Sequence, residues 1–105
     1  MKKKDAKELI KMILEDFDFQ KVHDLLVRED WRWFDVETDG KVPSVKQLKK
    51  EAQDLLKSVC YCSEDGGEPY RFNASGGLCA EKRGDSLELR FEYEVAVADK
   101  QWLER

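Results

Sequence analysis

The side chains in this chain best suited to nucleophilic, acid–base or metal chemistry are His23, Cys60, Cys62 and Cys79. His23 is the single histidine, and an imidazole is the side chain whose ordinary titration falls near neutrality. It stands between Val22 and Asp24 in a helical pattern, with no nucleophile or orienting partner nearby in sequence. The four residues together would make up a zinc ligand set. Structural zinc sites are usually built from Cys-x-x-Cys knuckles, however, whereas this chain has a C-x-C and a histidine far upstream. An odd number of thiols with one i, i+2 pair is no disulfide framework either, and points to a reducing cytosol. The thiols are expected to be small, buried or half-buried side chains. No serine sits in a nucleophile-elbow context, and neither G-x-x-x-x-G-K-[ST] nor G-x-G-x-x-G occurs. The reading is therefore a non-enzymatic protein with no metal and no cofactor.

The elements that must position these residues are more legible. Val45, Leu48, Ala52, Leu55, Leu56 and Val59 form one apolar face of a helix. Ser44 is its N-cap, Gln47 supplies the capping-box position, and Pro43 keeps the entry extended. Ahead of it, Ala6, Leu9, Ile10, Ile13 and Phe17 predict a first helix over 3–16. Asp18 caps a second, over 20–29, whose inward residues are Phe19, Val22, Leu25 and Leu26. Trp31 to Glu37 read as a short extended ribbon, followed by a turn at Asp39-Gly40.

The C-terminal third changes period. SEDGGEP is an exposed polar loop, and residues 70–74 read as a strand. Residues 77–82 pair with a long limb from Ser86 across the Arg83–Ser86 turn. That limb, SLELRFEYEVAVA, alternates throughout: Leu87, Leu89, Phe91, Tyr93, Val95 and Val97 are expected on one face, Glu88, Arg90, Glu92 and Glu94 on the other. The tail DKQWLER predicts a helical turn with Trp102 folded back. The whole is an α+β single domain, two or three helices on one face of a small antiparallel sheet with a C-terminal hairpin.

Composition restricts the partners. The hydrophobic fraction is 41%, the charged fraction 40% and the net charge −4, which disfavours direct nucleic-acid binding through a basic face. No apolar run approaches the roughly 20 residues of a membrane span, and the N-terminus has no signal-peptide core, so a cytoplasmic protein is expected. Candidate binding residues are Trp31, Arg32, Trp33, Glu88, Arg90, Glu92, Tyr93 and Glu94, as aromatic or arginine anchors with acidic steering. A rival site for a small nucleotide would stack a base on Trp31 or Trp33 and hold phosphate on the amides of Gly76 and Gly77. Those glycines equally let a strand begin beside a crowded helix. The three strand glutamates also suit a nucleic-acid mimic, or simply a solvated face. A homodimer could complete a pocket that 105 residues leave little room for.

The order FDFQKVH, WRW, VPSVKQLKKEAQDLL, SGGLCAEKRGDSLELRFEYE resembles small bacteriophage and prophage proteins of Firmicutes and gut bacteria. They share a W-x-W, a VP-[ST] helix opening, an A-x-x-LL helix and a [ST]-GG-[LF]-x-A strand ending in L-x-F-x-x-E. The likeness covers residues 17 to about 95. It implies an accessory protein of phage genomes. The expected activity is counter-defence, by occluding a host immune effector such as a CRISPR nuclease. The alternatives are a sponge for a nucleotide signal and an interaction module of phage replication.

Overall fold

In the computed structural model of the protein, residues 3–30, 41–62, 70–73, 77–92 and 94–104 are described. The helices α1 (Lys3–Asp16), α2 (Phe19–Arg28) and α3 (Val45–Cys62) precede strands β1 (Tyr70–Asn73), β2 (Cys79–Arg83), β3 (Ser86–Phe91) and β4 (Glu94–Asp99), and α4 (Lys100–Leu103) closes the order. The strands form one antiparallel meander, β1-β2-β3-β4. This is the expected α+β architecture, with the helices on one side of a small sheet. The ribbon expected over 31–37 lies outside the described residues.

Helix boundaries follow local chemistry. Asp18 accepts a hydrogen bond from the Lys21 amide at 3.0 Å, so α2 starts there as a separate helix instead of continuing α1. Ser44 does the same for α3, its hydroxyl accepting from the Gln47 amide at 3.2 Å while its carbonyl accepts from Leu48. The Gln47 side chain donates forward to Glu51. Asp99 caps α4 by accepting from the Trp102 amide, and Trp102 packs partly buried against the core.

α3 lies along β2 and β1, α1 along β4 and β3, and α2 against α3. The shared core holds Leu9, Ile13, Phe17, Phe19, Val22 and Leu26 from the first two helices and their connection, and Leu48, Ala52, Leu56 and Val59 from α3. The sheet adds Ala80, Leu87, Leu89, Phe91, Ala96 and Ala98, with Leu78 just ahead of β2. Burying each of the larger of these contributes roughly 1.5–3 kcal/mol.

The β2–β3 hairpin has the expected turn. Arg83 pairs with Ser86, and Gly84 takes a positive φ of 59° in the two-residue connection, as the first central position of a type II′ turn requires. The next connection departs from the alternating limb of the sequence. Instead of one strand there are two, with Phe91 paired to Glu94. Two residues separate those partners, so the buried parity switches from odd to even. β3 buries Leu87, Leu89 and Phe91, whereas β4 buries Ala96 and Ala98 and exposes Val95 and Val97 at 52% and 41%. The placement of Val95 and Val97 on the core face is thereby corrected.

Candidate binding surface

The outer face of the sheet is built by register. Arg71 pairs with Glu81, Glu81 with Glu88, and Glu88 with Val97; Cys79 pairs with Arg90, and Arg90 with Val95. Cross-strand partners project to the same side, so these residues share one surface. None of the described helices covers it. Within it, Arg71, Glu81, Arg83, Ser86, Glu88, Arg90 and Val97 line a shallow hollow of about 320 Å³.

The charges there are ordered among themselves. Glu81 lies between two guanidiniums: Oε2 accepts from Arg71 Nη2 at 2.6 Å and Nε at 3.0 Å, and Oε1 from Arg83 Nη2 at 2.9 Å. The Arg71 contact, with Arg83 behind it, holds the Glu81 carboxyl below its ordinary range. Arg90 reaches Glu88 Oε1 at 3.1 Å. Two glutamates that face each other across β2 and β3 are thus each neutralised by arginine, which removes the repulsion of like charges placed opposite. Partial burial raises the Cys79 thiol.

Of the residues singled out from sequence, Glu88 and Arg90 lie on this face as expected. Glu92 is exposed in the β3–β4 connection. Glu94 is elsewhere, because its pairing with Phe91 sends it to the helix side, where it forms an ion pair with Lys21 of α2. The row of three carboxylates on one sheet face is therefore corrected to Glu88 alone, and the bare acidic patch needed by a nucleic-acid mimic is not what the strand makes. Gly77 has a φ of 95° immediately before buried Leu78 and β2. Only glycine enters that conformation freely, so its backbone role at the strand start is plain. Trp31, Arg32, Trp33, Gly76 and Tyr93 lie outside the described residues.

Arg71, Glu81, Arg83, Val95 and Val97 belong to the surface and were not singled out. The alternation in CAEKR could have signalled Glu81 and Arg83. The opposite parity continues the buried series Leu78, Ala80 to Lys82, a residue only 5% exposed on the helix side.

The sheet separates Cys60 from Cys79, and His23 is engaged by a backbone carbonyl. His23 Nδ1 donates to the Pro43 carbonyl at 2.9 Å, tying α2 to the entry of α3. Cys60 packs on the helix side, and burial there pushes its thiol up to about 11. Cys79 is on the opposite face of the sheet. Among the described residues no three histidine, cysteine or acidic side chains converge as metal ligands would, and no helix is long and apolar enough to cross a membrane. Comparison of the chain with protein-family models, curated proteins and solved structures gives no match.

Proposed function

We propose that this chain is a binding protein that works without turnover, by laying the outer face of its sheet on a partner protein. The observation that carries this reading is the pair of exposed valines, Val95 and Val97, set beside arginines and glutamates already held in place by their own ion pairs. The valines lie on the edge strand β4 and the arginines and glutamates on β1–β3 beside it, and apolar area next to arginine is the composition of a protein–protein contact. Ordered side chains also lose less entropy on docking. The resemblance to small phage proteins adds the class of partner: a host immune effector, such as a CRISPR nuclease, in the bacterial cytosol. Occlusion needs only a rigid scaffold, which suits a chain whose Cys60 thiol packs against the core and whose His23 imidazole is held by a backbone carbonyl.

The test compares wild-type protein with an Arg90→Glu/Val97→Glu variant in capture from a host lysate and in relief of immune-effector activity. Both changes lie on solvent-exposed positions but set carboxylates beside and opposite Glu88, so the melting temperature is expected to fall by only a few degrees with the fold retained. Capture and relief that vanish together in the variant support the reading. Capture that survives the double change, or a thermal shift with cyclic or linear nucleotides, overturns it.

A further inference from the structure

A second surface lies on the far side of the molecule, between α1 and α3. There Lys7, Ile10, Lys11 and Leu14 of one helix face Lys49, Gln53, Lys57 and Tyr61 of the other across a groove of about 540 Å³, with Glu15 at its margin. The spacing explains the groove. Lys7, Lys11 and Leu14 follow each other at i, i+4, i+7, and Lys49, Gln53, Lys57 and Tyr61 recur every four residues. Each set is one exposed stripe of its helix. The floor is apolar: Ile10 is 5% exposed, Leu14 is half-buried, and Tyr61 stands open at 43%.

Its charge is one-sided. Four lysines meet one glutamate, in a chain whose net charge is −4. No described residue forms an ion pair with any of the four lysines, whereas Arg71, Arg83 and Arg90 on the sheet face are all engaged. A long ammonium side chain can lay its methylenes along the apolar wall and keep its charge free at the rim.

From this the geometry points to a docking site for an acidic amphipathic helix of a partner protein. Its apolar stripe would lie on Ile10, Leu14 and Tyr61, and its flanking carboxylates would meet the lysine rims. Lysine-bearing walls on both sides of an apolar trough match a helix that carries apolar residues at i, i+3, i+4 and i+7 between acidic ones. α1, at 14 residues, is about 21 Å long, which sets the occupant at roughly four turns. A nucleic-acid strand would leave the apolar floor unanswered, and phosphate recognition favours arginine, which this groove lacks. The site is independent of the sheet face, so the two could engage different segments of one partner.

A library of helical peptides displayed for selection tests this directly, with the Lys11→Glu/Lys57→Glu protein as counter-selection bait. Enriched peptides are expected to alternate apolar and acidic positions at helical spacing. A synthetic fluorescent copy should bind wild type with an affinity that falls as salt rises from about 50 to about 500 mM. The double charge reversal should weaken it about tenfold or more, and a peptide with lysine in place of its acidic residues should then prefer the variant. Circular dichroism melts establish that the variant remains folded, and Arg90→Glu/Val97→Glu should bind the peptide as wild type does. Failure to enrich acidic helices over the counter-selected bait overturns the proposal. So does peptide binding indifferent to charge reversal, or tighter binding of an oligothymidylate at the same groove.

Discussion

The two sides of the sheet are made from the same strands and obey different chemistry. On the helix side Leu87, Leu89, Phe91, Ala96 and Ala98 are closed off from water by α1 and α3. On the other side Arg71, Arg83 and Arg90 lie open over the partly buried carboxylates of Glu81 and Glu88 and answer them. The first side stabilises the fold by removing apolar area from water, a term that grows with every buried methylene. The second contributes little stability, since exposed ion pairs are worth about 0–1 kcal/mol each. What it gains is order. Five charged side chains and two valines are presented in a fixed pattern, on a scaffold that does not depend on them. That separation lets residues of the outer face be replaced without removing any of the core.

The sharpest way to break the comparison is to truncate one residue on each side of the same hairpin. Phe91→Ala should cost about 3–5 kcal/mol in chemical denaturation, because the ring is fully buried. Val97→Ala should stay within about 0.5 kcal/mol. If β3 and β4 were one continuous strand with Val97 inward, the valine would cost a core residue's share instead. A second contrast uses the thiols. In a Cys62→Ser/Cys79→Ser background, Cys60 should alkylate at pH 8 about two orders of magnitude more slowly than free cysteine. Its thiol, pushed up to about 11 by burial, is almost wholly protonated there. The raised value also means that the unfolded chain ionises first as pH climbs, so Cys60 withdraws stability between the ordinary thiol range and 11. A Cys60→Ala protein should lose less stability than wild type over that alkaline interval.

The helices were readable because their stripes are long and their caps are explicit. Ser44 and Asp18 each announce a start, and Leu48, Ala52, Leu56 and Val59 repeat as a helix face must. The sheet's existence and its β2–β3 turn were equally visible, since Gly84 marks the reversal. The β3–β4 turn was not. Glu92 and Tyr93 lack the glycine, proline or asparagine that usually punctuates a chain, so LELRFEYEVAV reads as unbroken alternation. Large Val95 and Val97 then look like core and small Ala96 and Ala98 like surface, and only the pairing of Phe91 with Glu94 reverses them. The candidate surface was half legible for a related reason. Alternation places Glu88 and Arg90, but Arg71 and Glu81 meet only through the register of β1 on β2. The lysine groove was hidden altogether. Lys11 and Lys57 each look like an ordinary solvated position until α1 and α3 are laid side by side.

The smallest effect probes the self-neutralised charges directly. Glu81→Gln removes the carboxylate shared by Arg71 and Arg83, and should cost about 1 kcal/mol at neutral pH. Lys57→Gln, at a groove position with no ion pair to a described residue, should cost nothing measurable. The pH dependence separates an electrostatic loss from a steric one. Arg71 lowers the folded-state value of Glu81 beneath the unfolded carboxylate value of about 4.3. The ionised group therefore stabilises the fold above that unfolded value, and the contribution is lost as pH falls through the lower, folded one. Stability curves of wild type and Glu81→Gln should accordingly run parallel at neutral pH and converge in acid. A gap that persists unchanged below the carboxylate range would mean that Glu81 acts through packing, and the outer face would then share the chemistry of the inner one.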